Sequence, residues 1–132
     1  MRTTADTNLL VRVIVADDPI QAALAQRQLA NADLVALPVV ALCEMVWTLS
    51  RAYNLKKSHV AVALRTLVNS HNIVTDRPAI DAGLAVLDAG GDFADGVIAY
   101  QGQMLGGQNF VSVDKEAVSL VAAQGIHAGL LA

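Results

Sequence analysis

The chain has 132 residues, of which 55% are hydrophobic and 16% are charged, and this composition excludes an intrinsically disordered protein. We predict a single domain over residues 1–132, a length that suits one continuous core. The net charge of −3 argues against broad electrostatic binding of duplex DNA. The longest apolar run, residues 34–43, contains a proline and has about half the length of a membrane-spanning helix. We therefore expect a cytoplasmic protein without a membrane segment.

The first part of the chain predicts two strands and at least one helix. Residues 2–5 form a strand that ends just before Asp6. Residues 9–15 are apolar enough for a strand or a buried helix, and periodicity does not decide between these alternatives. The acidic residues and proline at 17–19 begin a helix, and a buried strand follows at residues 34–37.

The next helix carries an acidic residue within an apolar sequence. Pro38 opens this helix, which continues through Tyr53. We expect Glu44 to lie on an inward-facing stripe with Val40 and Trp47, because these positions share one helical face.

The rest of the chain continues the alternation of helices and strands. The predicted elements are a helix capped by Ser58, a strand at 73–74, a helix from 76 to 91, a helix over 93–105, a strand at 110–113 and a helix over 115–123. The alternation predicts an α/β sandwich around a parallel sheet. Functional sites in such folds gather beyond the carboxyl ends of the strands.

Five carboxylates lie at the ends of apolar stretches or inside them: Asp6, Glu44, Asp92, Asp95 and Asp114. An unpaired carboxylate is costly to bury, so a fold that brings several together must neutralise them. A hard divalent cation with oxygen ligands is the usual means. The one cysteine excludes an internal disulfide, and no Cys/His spacing suits zinc. The pattern predicts a metal-dependent site built from carboxylates.

Four stretches, in this order, resemble the PIN-domain nucleases and in particular the VapC-type toxins of type II toxin–antitoxin modules. They are residues 6–12, 44–49, 92–99 and 112–115. The resemblance extends over nearly the full chain. It implies a Rossmann-like, three-layer α/β/α sandwich with a short, mostly parallel central sheet. It also implies an endoribonuclease that uses Mg²⁺ or Mn²⁺, a homodimer, and a cognate VapB-like antitoxin that occludes the site.

The resemblance also implies roles for individual residues. The catalytic and metal-binding quartet is Asp6, Glu44, Asp95 and Asp114, with Asp92 as an additional metal-binding acid. For Asp92 and Asp114 a purely structural role as helix caps remains an alternative.

Polar residues beside the quartet match the family's supporting positions, namely Thr7, Asn8 and Ser112. Gly96 stands where the family usually has alanine. An RNA substrate would present a single-stranded or looped segment, since an A-form duplex hides its base edges. The candidates for contacts with the RNA backbone are Arg12, Arg51, Lys56, Lys57 and Arg65.

One alternative keeps the fold but drops catalysis, as an RNA-binding or regulatory protein, and the presence of all four quartet residues argues against it. Two other functions stay open. One is a PIN-domain nuclease that processes RNA outside a toxin–antitoxin module. The other is a Mg²⁺-binding receiver-like signalling domain, because residues 12–19 resemble the first strand and acidic pair of response-regulator receivers. That interpretation places a strand at Val13, leaves Asp6 unexplained, and finds no phospho-accepting aspartate in residues 50–58.

Overall fold

The computed structural model describes residues 1–131, which contain seven helices and five short strands. All strand pairs are parallel, and the predicted α/β class is confirmed. The chain divides into two compact units, one over Met1–Asp76 and one from Arg77 onward, and each is described by itself. Within residues 1–131, no helix is both long and apolar enough to cross a membrane.

The first unit contains a three-stranded parallel sheet and four helices. Its sheet has the order β1-β2-β3, with Thr3 opposite Val35 and Val35 opposite Ile73. The elements are β1 (Arg2–Thr4), α1 (Thr7–Val15), α2 (Pro19–Asn31), β2 (Leu34–Ala36), α3 (Val39–Arg51), α4 (Lys57–Val68) and β3 (Ile73–Val74).

The ambiguous segment at residues 9–15 is helical and belongs to α1. Asp6 begins this helix, because its Oδ1 accepts a hydrogen bond of 3.0 Å from the backbone N–H of Leu9. The helix buries Leu10 and ends at Val15, and the C-cap residue Ala16 has a left-handed backbone with φ of 53°. The receiver-like interpretation is therefore wrong, since Val13 lies in a helix rather than a strand.

The prediction that Glu44 lies on an inward-facing stripe of α3 with Val40 and Trp47 is wrong. Val40, Glu44 and Trp47 are exposed, and the exposed fractions of Val40 and Trp47 are 65% and 63%. Both stripes of this helix are apolar enough to face the core, and helical periodicity does not choose between them. The buried residues of α3 are Ala41, Leu42, Met45, Val46 and Leu49.

Helix α4 begins earlier than the predicted serine cap. Its first residue is Lys57, and Lys56 occupies the cap position without a side-chain hydrogen bond. The carbonyl of Lys56 accepts hydrogen bonds of 3.0 Å from both His59 and Val60, so Ser58 already lies within the first turn. The prediction that Ser58 caps α4 is therefore wrong, because backbone hydrogen bonds to the carbonyl of Lys56 begin the helix before Ser58.

The second unit contains three helices and a pair of parallel strands. The strands β4 and β5 pair with Val111 opposite Gly129. The elements are α5 (Arg77–Asp88), α6 (Phe93–Met104), β4 (Phe110–Ser112), α7 (Lys115–Ala123) and β5 (Ala128–Leu130). The sequence does not predict β5, because Ala-Gly-Leu has no β-branched or aromatic residue to mark a strand.

Two buried glycines allow α5 and α6 to pack closely. A Cβ atom at Gly96 would collide with the backbone carbonyl of Ala82, and one at Gly83 would lie 2.6 Å from the ring of Phe93. The alanine usual at position 96 in PIN domains would therefore force these two helices apart. Glycine at this position is a packing requirement of this chain.

Candidate active site

In the first unit, two carboxylates distant in sequence line one pocket. Asp6 lies two residues beyond the end of β1, and Glu44 projects from the exposed side of α3. The Thr7 hydroxyl donates a hydrogen bond of 3.1 Å to Oε2 of Glu44, which places Glu44 beside the first turn of α1. We refer to Asp6 and Glu44 as the amino-terminal pair.

The pocket around the amino-terminal pair has a volume of about 450 Å³. Besides the two carboxylates, its polar lining comes from Thr4, Thr7, Asn8 and Thr48. All of these groups offer oxygen atoms, which are the ligands that hard divalent cations prefer. The pocket can therefore take up a small cation and one phosphate group of a larger substrate.

In the second unit, two predicted site residues lie within electrostatic range of a third, Asp95. Burial raises the pKa of the half-buried Asp95, and the negative charges of Asp92 and Asp114 raise it further. Glu116 adds to the same effect. We refer to Asp92, Asp95 and Asp114 as the carboxyl-terminal cluster.

Glu116 is not among the site residues predicted from the sequence, although a signal for it is present there. Glu116 follows Asp114 by two residues in the first turn of α7, where acidic side chains favour the positive end of the helix dipole. Its influence on Asp95 makes it a fourth negative charge in this part of the second unit.

The alternative role as a helix cap applies to Asp114 but not to Asp92. Asp92 occupies the cap position of α6, but its side chain accepts no capping hydrogen bond. Asp114 does cap α7, since its Oδ1 accepts hydrogen bonds of 2.9 Å from Glu116 and 3.3 Å from Ala117. These bonds engage one carboxylate oxygen, and a carboxylate has further acceptor sites on the other. Capping by Asp114 is therefore compatible with a second role.

Ser112 holds the backbone that precedes α7. Its hydroxyl oxygen accepts a hydrogen bond of 3.0 Å from the backbone N–H of Asp114. The bond fixes the turn between β4 and α7 and so restricts where the Asp114 carboxylate points. Thr7 and Ser112 thus each act on one acid of their own unit.

The basic residues predicted to contact RNA all lie in the first unit. Arg12 forms an ion pair of 3.2 Å with Asp17, and both side chains are about half exposed. The other four are exposed, and they lie at the end of α3, at the start of α4 and within α4: Arg51, Lys56, Lys57 and Arg65.

The donor chemistry of both groups fits a hard divalent ion. The amino-terminal pair offers carboxylate oxygens in an open pocket. Burial and neighbouring negative charges raise the pKa of Asp95, and a nearby cation would counter both effects. Among residues 1–131, no three His, Cys, Asp or Glu side chains are already grouped closely enough to hold a metal ion. A bound ion would therefore draw on waters and substrate oxygens as well as on protein ligands.

The sequence was also compared with known proteins. The family model described as the PIN domain matches residues 4–122, which is nearly the whole chain. A search of curated proteins finds no match. PIN domains are generally nucleases that act on nucleic acid with divalent metal ions. With this match over most of its length, the chain belongs to the PIN domain family.

Proposed function

We propose that the protein is a Mg²⁺- or Mn²⁺-dependent endoribonuclease and that it serves as the toxin of a type II toxin–antitoxin module. The observation that carries the proposal is the convergence of Asp6 and Glu44 on one oxygen-lined pocket in a PIN domain. The carboxyl-terminal cluster supports it, because burial and the neighbouring negative charges raise the pKa of Asp95, and a bound cation would offset these effects. We propose that each of the two groups, taken by itself, binds metal.

The roles of the side chains follow from their contacts. When bound, Mg²⁺ or Mn²⁺ supplies an acidified water and neutralises charge on the phosphoryl oxygens. Thr7 orients the Glu44 carboxylate through its hydrogen bond, and Ser112 fixes the backbone of Asp114. Burial and the neighbouring negative charges raise the pKa of Asp95, and a cation bound beside it would favour its charged form.

The nuclease proposal is tested with single substitutions that remove one negative charge each. Asp6→Asn and Asp95→Asn are expected to reduce metal-dependent cleavage of single-stranded RNA by more than about 100-fold, the upper end for residues that only support metal ligands. Asp81→Asn is the matched control, because Asp81 is exposed on α5 and belongs to neither acidic group. Cleavage by both site variants at the rate of the control would refute the catalytic assignment.

The toxin role requires a partner that silences the enzyme, and the first unit has a groove that suits one. This groove has a volume of about 500 Å³ and lies among residues of α1, α2 and α4. Its apolar lining includes Val13, Ile14, Leu29, Leu67 and Ile73. We propose that an apolar segment of the antitoxin docks here while a Lys or Arg of the antitoxin reaches the carboxylates.

The partner proposal is tested by purifying this protein together with the protein encoded by a short gene beside its own gene. The stoichiometric complex is expected to lack nuclease activity, and Ala30→Arg, an exposed change in the groove, is expected to restore it by weakening the complex. Full activity of the unmutated complex, or the absence of any such neighbour, would favour a PIN nuclease that processes RNA outside a toxin–antitoxin module. Light scattering of the free protein tests the proposed homodimer.

A further inference from the structure

One exposed stripe of α3 combines a carboxylate, an aromatic ring and a guanidinium, three groups through which proteins contact nucleic acids. It consists of Glu44, Trp47 and Arg51, and all three are exposed. Residues three and four apart on a helix are neighbours, with about 5–6 Å between Cβ atoms. The indole of Trp47 therefore stands one turn from a carboxylate of the amino-terminal pair and one turn from a guanidinium. We call these three residues the outer stripe of α3.

The exposure of Trp47 is unusual for its residue type. Tryptophan is highly buried on average, yet 63% of this side chain is accessible. Its neighbours on the inner face, Met45 and Leu49, are fully buried, so α3 satisfies its core packing without the indole. The position thus presents an aromatic surface to a ligand at little expense to the fold.

An aromatic surface can bind RNA even where the negative charge of the site gives phosphate groups little attraction. The chain carries a net charge of −3, and the pocket is acidic, so phosphate backbones gain little from long-range attraction. Stacking of a base on an aromatic ring does not depend on charge, and it tolerates every base because each has a π-face. A base can stack in this way only when it is unpaired.

We propose that Trp47 stacks on an unpaired base next to the cleaved phosphodiester and that Arg51 contacts the phosphate beyond it. This inference rests on the proposed nuclease function and adds the recognition of single-stranded RNA to it. Glu44, Trp47 and Arg51 follow one another along the helix, so the outer stripe of α3 sets the order of metal site, base and phosphate. Trp47 acts here as a specificity-determining residue.

The first test uses the fluorescence of the protein, because Trp47 is the only tryptophan in the chain. A short single-stranded RNA, added in the presence of a chelator so that it stays uncleaved, is expected to quench the emission to saturation. A duplex of the same sequence and an abasic strand of the same length are expected to leave it unchanged. Equal quenching by the abasic strand, or none by RNA at concentrations that support cleavage, would overturn the stacking role.

The fluorescence test also separates this inference from the function on which it rests. Quenching by RNA in a protein that never cleaves it would leave the stacking surface intact and remove the nuclease assignment. Cleavage of RNA without quenching would keep the nuclease assignment and remove the stacking role of Trp47. Emission that changes on dilution without RNA would show that a second copy of the chain covers Trp47 and would overturn the proposal.

The second test uses kinetics. Trp47→Ala is expected to raise KM for single-stranded RNA by roughly 5- to 150-fold, the range for loss of one stacked base, with kcat little changed. Trp47→Phe keeps an aromatic face and is expected to retain most of the affinity. Val62→Ala is the matched control, since Val62 is 64% exposed on α4. An unchanged KM in Trp47→Ala, or equal effects in Trp47→Ala and Val62→Ala, would contradict the proposal.

Discussion

The hydroxyl of Thr7 donates a hydrogen bond to Oε2 of Glu44 and so connects the first turn of α1 to the middle of α3. Thr7 directly follows Asp6, whose carboxylate caps the same turn. This one contact therefore fixes the relative positions of the two acids of the amino-terminal pair. It also explains why an exposed, flexible glutamate holds a defined place at the pocket.

Thr7→Val tests this contact, because valine has nearly the same shape and lacks the hydroxyl. We expect RNA cleavage to fall by about 10- to 100-fold, the usual effect of losing a group that orients a metal ligand. The Mg²⁺ concentration needed for half-maximal cleavage should rise as well. Thr7→Ser restores a hydroxyl and should recover most of the activity. A Thr7→Val variant with the parental metal dependence would show that the contact is only structural.

Asp95→Asn is expected to stabilise the fold at neutral pH. Because the pKa of Asp95 is raised in the folded protein, the unfolded chain releases this proton first as the pH rises. The folded state therefore loses stability as the pH rises from the ordinary aspartate pKa through the raised value. The neutral asparagine avoids this loss, so the thermal midpoint of the variant should exceed that of the parent at pH 7.

The pH dependence provides the control for that prediction. In acid, where Asp95 is protonated in both states, the difference between variant and parent should shrink. Asp81→Asn is the matched control, since Asp81 is exposed and is not among the charges that act on Asp95. A variant that is less stable than the parent at neutral pH would mean that the Asp95 carboxylate makes a favourable contact that outweighs the repulsion.

Two glycines of α6 are expected to respond to alanine in opposite ways. Gly96→Ala places a methyl group against the backbone of Ala82 and should lower the free energy of unfolding by about 1–3 kcal/mol. Gly102→Ala meets no atom within 4 Å and should raise it by about 0.4–1 kcal/mol, because alanine restricts the unfolded chain. Urea unfolding of both variants measures the difference. Equal effects would show that α5 and α6 separate easily.

The sequence predicts the local features of the fold better than the direction in which α3 faces. Proline and acidic caps mark the start of several helices, and α7 and β3 begin and end where predicted. In α3, however, apolar residues occupy both the stripe of Val40 and Trp47 and the stripe of Met45 and Leu49. Helical periodicity allows either stripe to face inward, and only the packing of neighbouring elements decides.

The sequence likewise predicts the residue types of the candidate site but not the contacts among them. The residue types that hold a metal are visible in the sequence, because carboxylates at strand ends and helix starts are conspicuous in an apolar chain. The hydrogen bond from Thr7 to Glu44 and the influence of Glu116 on Asp95 depend on side-chain positions. The missing capping bond of Asp92 is also a matter of geometry, since its sequence context predicts a cap.

Mn²⁺ binding, followed by electron paramagnetic resonance, tests the central claim most directly, because it measures metal binding without requiring the correct RNA. The parent protein should bind Mn²⁺, and Asp6→Asn, Glu44→Gln, Asp95→Asn and Asp114→Asn should each weaken the affinity by more than about 10-fold. Asp81→Asn should bind as the parent does. Equal affinity in the parent and all four site variants would contradict the account, as would a parent protein that binds no Mn²⁺ at all.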